Sequence, residues 1–331
     1  MTAMTAPLVD IADLVIEYDT GTRQVRAIDG AALQVFEDET LAIVGESGSG
    51  KTTLGMAAGR LLPPEARVLG GRIHVADVDV SDADDDALRR LRHDKLGFVF
   101  QNPTTALDPT MRIGRQVALA MGGRPAPEAI AELLSRAELN EPQRILRAFP
   151  HELSGGMAQR VVIAMAIARS PQLLIADEPT ASLDASIREK VMATLGRLRA
   201  ESGASLVILS HDLRMIARHA DRVAVMYGGR IVELGAVGQV MQAPAHPYTR
   251  ALLAAAAGNE RPGERLRPIP GTPPIRESLC EACAYAPRCA FRETRCETER
   301  PEPRAFAGRE VVCHRAEAVI AADQSPRQEA R

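Results

Sequence analysis

The sequence predicts an α/β fold in which a parallel sheet is covered by helices, with an antiparallel β subdomain, an inserted helical subdomain and a small cysteine-bearing C-terminal module. Three observations carry this expectation. Short apolar runs rich in β-branched residues, LAIV (41–44), LLIA (173–176) and SLVIL (205–209), alternate with helical stretches, as buried parallel strands do. A glycine-rich loop, GESGSGKT (45–52), separates the first run from a stretch of helix formers, TTLGMAAGRLL. All five cysteines lie after residue 279, and nine of the 22 prolines fall in the last 72 residues, a compositional break placed near residues 257–263.

The elements follow in order. Residues 12–36 and 222–234, the latter with Gly228-Gly229 as its turn, read as antiparallel hairpins of a side sheet. Between Gln101 and Ser170 the signals are helical, with PEAIAELLSRAEL (127–139) and QRVVIAMAIARS (159–170), the second stopped by Pro171, so residues 102–170 are expected to form the inserted helical subdomain. The expected boundaries are 8–257 for the main domain, 258–318 for the C-terminal module and 319–331 for a disordered tail.

Composition removes several functions. The 331 residues suffice for about two domains. Charged residues make up 25% and the formal net charge is −3, which leaves no bulk basic field to grip nucleic acid or an anionic membrane. Apolar stretches such as VVIAMAIA (161–168) and ALLAAAA (251–257) fall short of the roughly 20 residues of a spanning helix. The N-terminus lacks a basic region and meets Asp10 early, so a cytoplasmic protein is expected, in whose reducing surroundings five cysteines point to metal or catalysis rather than disulfides.

Gly45, Glu46, Ser47, Gly48, Ser49, Gly50, Lys51 and Thr52 fit G-x-x-x-x-G-K-[ST] in the required strand-loop-helix context, which makes the core that of a P-loop NTPase. The glycines let backbone N–H groups turn toward phosphates, the helix start adds its positive dipole end, Lys51 reaches the β/γ oxygens and the Thr52 hydroxyl holds Mg²⁺. A second strand, LLIA, runs into Asp177 and Glu178 at the end of a strand where ligands of open α/β sheets gather. Asp177 suits the outer Mg²⁺ contact. Glu178 suits polarisation of the water that attacks a γ-phosphate. Without the P-loop, the same Asp-Glu-Pro-Thr reads as a strand end capping a helix, and His211 after SLVILS reads as a structural histidine.

In order, the P-loop, Gln101 in FVFQNP, LSGGMAQR (153–160), LLIADEPT (173–180), ASLD (181–184) and SHD (210–212) resemble the ATP-binding subunits of ABC transporters. The resemblance covers residues 8–255. It implies that Gln101 links the Mg²⁺ and γ-phosphate site to membrane subunits, that His211 contacts the γ-phosphate and that Asp184 lies at a dimer interface. It further implies that Ser154, Gly155 and Gly156 bind ATP held by the opposite subunit, and the residues agree, because Ser154 is a plausible N-cap and the two glycines expose N–H groups at a helix start. An ordinary capped helix is the plain alternative. Tyr18 resembles the family's adenine-stacking aromatic, with strand packing as its equal alternative. Thr53, next to Thr52, belongs to the same nucleotide-binding set. Asp38 stands at a turn where relatives often have glycine, a position aspartate tolerates at positive φ.

LSGGMAQRVVIAMAIA, HADRVAVMYGGRIVELG (219–235) and HPYTRALL (246–253) resemble the oligopeptide/dipeptide importer branch, which also includes nickel and metallophore importers. Met157 and the tail look like the first of two ATPase subunits commonly found together. The resemblance implies a heterodimer, two membrane permease subunits, an extracytoplasmic substrate-binding protein and a place on the cytoplasmic face of the inner membrane. Cys283, Cys289, Cys296 and Cys313 resemble a module that binds a [4Fe-4S] cluster, a set of four thiolates suited to it, leaving Cys280 as the odd one out. Zinc is the rival, although the single Cys-x-x-Cys (Cys280, Cys283) has no second pair, and unliganded cysteines are the plain alternative. A non-transport ABC ATPase acting on DNA or ribosomes would need basic patches, a coiled-coil insertion or a second cassette, none of which the sequence shows. A regulatory metal module without ATPase activity would tolerate loss of Lys51 or Glu178, and both are present.

Overall fold

The computed structural model describes residues 6–181, 183–256, 268–274 and 281–324. Its strands are β1 (Val9–Asp19), β2 (Gln24–Val35), β3 (Thr40–Val44), β4 (Ala66–Val75), β5 (Val78–Asp79), β6 (Leu96–Val99), β7 (Leu173–Asp177), β8 (Ser205–Ser210), β9 (Arg222–Tyr227), β10 (Arg230–Ala236), β11 (Arg304–Phe306) and β12 (Arg309–Val311). Helices α1 (Lys51–Ala58) and α2 (Asp85–Arg90) precede β6. Between β6 and β7 lie α3 (Pro103–Ala106), α4 (Ile113–Ala120), α5 (Pro127–Arg136), α6 (Pro142–Arg147) and α7 (Gly155–Ile167). The rest are α8 (Ala185–Ser202), α9 (Leu213–Ile216), α10 (Val237–Gln242), α11 (Pro247–Ala255), α12 (Thr294–Thr298) and α13 (Ala316–Gln324).

Among the described residues the main sheet runs β11-β12-β10-β9-β3-β8-β7-β6, with β9, β3, β8, β7 and β6 mutually parallel. Every residue of β3, β7 and β8 is buried, because the sheet is covered on both faces. The period of two divides each strand between two cores. Ala42, Val44, Leu174, Ala176, Leu206 and Ile208 join the core shared with α4, α5 and α7, whereas Leu41, Ile43, Leu173, Ile175, Val207 and Leu209 face the core under the second sheet. That second sheet is antiparallel, in the order β2-β1-β4-β5. The α/β expectation therefore holds, and the three apolar runs read from the sequence are its central strands.

Two placements differ from expectation. The hairpin at 222–234 does not join the side sheet: β9 pairs in parallel with β3 and so continues the main one. Its sequence explains this, since VAVMY is wholly buried and apolar where a strand with one solvated face would alternate. The C-terminal segment is likewise no detached module. β12 pairs with β10 through Glu233 opposite Val311 and Leu234 opposite Glu310, which extends the main sheet. Buried Glu233 secures the junction, accepting from the backbone N–H groups of Ala245 (2.8 Å) and His246 (3.0 Å) and from Arg309 Nη1 (3.1 Å). A carboxylate removed from water needs such a full set of donors.

The expected tail from residue 319 is corrected in part. α13 continues to Gln324, and Val319 is fully buried one turn on from Ala316, which clusters with Val311 and Cys313. The remainder of that tail, residues 325–331, lies outside the described residues. Asp38 does adopt positive φ, at 57°. No helix among the described residues is long and apolar enough to cross a membrane.

Candidate nucleotide-binding site

The loop 45–50 connects the C-terminal end of β3 to the start of α1, so its groups stand where the helix exposes unpaired N–H donors. Two glycines are required by space. A Cβ on Gly45 would lie 2.2 Å from the Met226 carbonyl oxygen, and Gly50 takes φ 103° while packed against Ala27 and Met226. Lys51 Nζ donates to the carbonyls of Gly45 (2.9 Å) and Glu46 (3.2 Å), folding across its own loop. Burial lowers its pKa, opposed by the charges of Glu178 and Asp177.

Three adjacent parallel strands, β3, β8 and β7, bring the remaining groups together. Thr52 Oγ1 donates to Asp177 Oδ1 at 3.1 Å. Burial raises the Asp177 pKa, with the Thr52 hydrogen bond and Lys51 pulling it down and the Glu178 carboxylate adding to the rise. Adjacent hydroxyl and carboxylate oxygens form a donor set suited to a hard divalent cation. Glu178 lies just past β7 with φ 45°, a strained value for glutamate, and its N–H donates to Leu209 O on β8 at 2.9 Å. His211, just past β8, places Nδ1 2.8 Å from Glu178 Oε1 and 2.9 Å from Oε2. The histidine side chain is 61% exposed and the glutamate 12%, so the pair sits at the mouth of the site.

The other sequence-selected residues fall as follows. The Tyr18 and Thr53 hydroxyls are 3.3 Å apart, which sets the β1 aromatic against α1. Ser47 and Gly48 are exposed at the loop tip, and Ser49 is buried beneath it. Gln101 is exposed at the end of β6. Ser154 caps α7, its Oγ accepting from Met157 N at 3.3 Å, with Gly155 exposed beside it and Gly156 packed on Ile187. Asp184 occupies the N-cap position of α8 with no side-chain cap bond.

Cys283, Cys289, Cys296 and Cys313 lie on separate turns of the C-terminal segment, none of them in a disulfide. The Cys283 N–H donates to Cys296 O at 2.9 Å, and the Cys289 and Cys313 sulfurs accept from the N–H groups of Phe291 and Arg315, each at 3.3 Å. Burial pushes Cys289 up to about 11, and Cys283 and Cys296 add to it. Burial pushes Cys313 up to about 12, with the other three thiols contributing. Metal binding by this segment, expected from the sequence, is not seen in its geometry: among the described residues, no three His, Cys, Asp or Glu groups stand close enough to hold a metal ion. Cys280 lies outside the described residues.

Sequence reasoning missed one member of the site. Arg288, in the turn before Cys289, forms a two-pronged ion pair with Glu46 of the glycine-rich loop, Nη1 to Oε2 at 2.7 Å and Nη2 to Oε1 at 3.1 Å. The only signals were the fragments HPYT and PRC, which read as family wording and carry no mark of a contact 242 residues apart.

The ABC transporter family matches residues 28–181, and the oligopeptide/dipeptide transporter C-terminal region matches residues 232–296. The oligopeptide transport ATP-binding protein OppD of Mycobacterium tuberculosis is 41% identical over 305 residues, covering 90% of this chain and 50% of that protein. The chain thus spans about half the length of that curated relative. A putative peptide import ATP-binding protein of Brucella ovis is 40% identical over 316 residues, covering 89% of this chain and 93% of that one. Among solved structures, a dimeric ATP-binding cassette in a post-hydrolysis state with ADP and Pi aligns at TM-score 0.62 and 32% identity, covering 69% of this chain and 98% of that one. The structure of cbiO1 from Clostridium perfringens, part of the ABC transporter complex cbiONQ, aligns at TM-score 0.60 and 27% identity, covering 71% of this chain and 90% of that one.

Proposed function

The chain belongs to the ATP-binding subunits of ABC transporters, and from that premise we propose that it is the ATP-hydrolysing, energy-coupling subunit of an importer for oligopeptides or dipeptides. The observation that carries the reading is the convergence of Lys51, Thr52, Asp177, Glu178 and His211 at the ends of three adjacent strands. The peptide cargo rests on the two relatives and on the match of residues 232–296 to the oligopeptide/dipeptide transporter C-terminal region.

In this reading the loop 45–50, the start of α1 and Lys51 hold the β- and γ-phosphates, Thr53 lines the same loop and Tyr18 faces the base. Thr52 and Gln101, with Asp177 as the outer contact, would hold Mg²⁺, which would neutralise charge developing on the transferring phosphoryl group. Glu178, its backbone strained into place and its carboxylate held by His211, takes a proton from the attacking water as the terminal phosphoryl group separates from ADP. His211 also contacts the γ-phosphate. Ser154, Gly155 and Gly156 close on the nucleotide of a second ATPase subunit, with Asp184 at the interface, so ATP joins a head-to-tail heterodimer. Hydrolysis reopens it and resets two permease subunits supplied by an extracytoplasmic binding protein, with the ATPase pair on the cytoplasmic membrane face.

The domains in this reading are the 8–257 ATPase unit and the 258–318 segment, in which Cys283, Cys289, Cys296 and Cys313 would hold one [4Fe-4S] cluster that would stiffen the segment. Four thiols within one short segment support it by donor chemistry, and a zinc ribbon is disfavoured because the single Cys-x-x-Cys (Cys280, Cys283) has no second pair.

Deleting the chain's gene and following uptake of labelled di- to pentapeptides beside labelled nickel tests the cargo. Loss of peptide uptake is expected. Loss of nickel uptake alone would move the chain to the nickel and metallophore group.

A further inference from the structure

We propose that Arg288 is a positioning residue for the nucleotide loop, through which the cysteine-bearing segment sets the shape in which that loop meets ATP. The proposal rests on the reading of Gly45–Thr52 as the phosphate loop.

Glu46 is held at every polar group it has. Its carboxylate takes both prongs of the Arg288 guanidinium. Its N–H donates to the Tyr248 hydroxyl at 2.8 Å, and its carbonyl accepts from Lys51 Nζ at 3.2 Å and from Ser49 N at 3.2 Å. One residue therefore ties the phosphate-binding lysine to two anchors outside the loop. Tyr248 comes from α11 and Arg288 from the short turn between Cys283 and Cys289.

Arg288 is itself fixed. Its side chain is only 4% exposed. Nε donates to Pro270 O at 2.7 Å, Nη1 also reaches the Tyr227 hydroxyl at 3.4 Å, and Nη2 also reaches Ile269 O at 3.4 Å. The Tyr285 ring, two residues from Cys283, packs edge to face on those of Tyr227 (5.1 Å) and Tyr248 (5.4 Å). A buried, fully bonded guanidinium beside a loop carboxylate is a rigid strut, whereas a surface pair would exchange with water. Lysine cannot replace it, because a point charge makes one contact where the planar fork makes two. Neither Arg288 nor Tyr248 contacts the reacting atoms; both act through Glu46.

The test measures ATP affinity, KM and kcat for the full chain in its assembled complex. Arg288→Ala is expected to raise KM and Kd for ATP about tenfold, the scale of a charge-assisted bidentate contact, while kcat at saturating ATP stays within about twofold. Glu46→Ala should do the same, and the double variant should be no worse than either single one, because the two share one interaction. Arg288→Lys keeps the charge and bulk without the fork, so it should fall between, and it serves if Arg288→Ala does not fold. An unchanged KM in the folded variants, or KM effects of Arg288→Ala and Glu46→Ala that simply add, would overturn the proposal. Lys51→Ala, run in parallel, separates the two readings: if it still binds ATP, the phosphate loop itself is misassigned.

Discussion

His211 Nδ1 and the Glu178 carboxylate lie 2.8 Å and 2.9 Å apart at its two oxygens, although 33 residues separate them in the chain. The contact exists because β7 and β8 are parallel neighbours, with Asp177 opposite Leu209 in register, so the residue after each strand faces the other. Glu178→Gln keeps the size and a hydrogen-bonding oxygen but removes the base. ATP binding should persist while hydrolysis falls by about 10²–10⁴. Phosphate release at near wild-type rate from the assembled transporter would remove Glu178 from the base role.

Lys51→Ala should abolish ATP binding, measured by equilibrium dialysis with labelled nucleotide. The ammonium is buried and bonds two loop carbonyls, so its loss removes the charge that faces the β/γ-phosphates. Retained binding would mean that Gly45–Thr52 is misassigned as the phosphate loop.

Ser154→Arg should leave this subunit's own nucleotide binding intact and silence the site it completes on its partner. Ser154 and Gly155 are exposed, so the long side chain is tolerated within the chain and obstructs only what approaches the start of α7. Unchanged ATPase activity of the heterodimer, given a partner whose own P-loop is competent, would sink the shared site.

The parts of this site legible in the sequence are those made by local rules. A strand ending in a glycine loop and a helix start is one continuous segment, so Gly45–Thr52 announces both its shape and its chemistry. Asp177 and Glu178 were placed because a strand end fixes where they stand. The hairpin β9-β10 was legible as a hairpin but not as part of the main sheet, since pairing with β3 depends on tertiary burial and not on the turn. Arg288 was invisible for the same reason. A proline- and arginine-rich stretch with little apolar content reads as a segment in need of its own stiffening, yet much of its order comes from docking: Tyr285 enters the main core, and Arg300 donates to Asp29 O at 3.0 Å.

The cysteine assignment predicts brown protein when purified without oxygen, with near-stoichiometric iron and acid-labile sulfide. Changing Cys283, Cys289, Cys296 or Cys313 to serine should lose both, and Cys280→Ser should keep them. Stoichiometric zinc without sulfide would overturn the cluster, and loss of iron in Cys280→Ser alone would overturn the ligand set.

The last prediction concerns pH and the junction between α11 and the C-terminal segment. His246 is buried at the N-cap of α11, its Nδ1 accepting from Tyr248 N at 3.0 Å while the ring also bonds to the Val312 backbone. Glu233 holds its backbone N–H and Arg309 faces that carboxylate, while the Tyr285 ring lies 5.9 Å from the imidazole. Protonation would place a second donor against the Tyr248 N–H, and burial pushes the histidine down to about 3. The unfolded chain takes up this proton near pH 6.5 and the folded one does not, so the stabilisation is complete above pH 6.5 and is lost as pH falls from there toward 3. One proton of difference changes stability by about 1.4 kcal/mol per pH unit, so about 2 kcal/mol should be lost by pH 5. Glu317, held low at about 2 by Arg304, gives stability that is present above its ordinary value of 4.5 and is lost only as pH falls from there toward 2, below the interval from 6.5 to 5. His246→Asn keeps an acceptor for Tyr248 N without a titrating ring, so its thermal stability should be flatter across that interval than the wild type. Equal slopes for the two proteins would show that His246 is not the group that titrates.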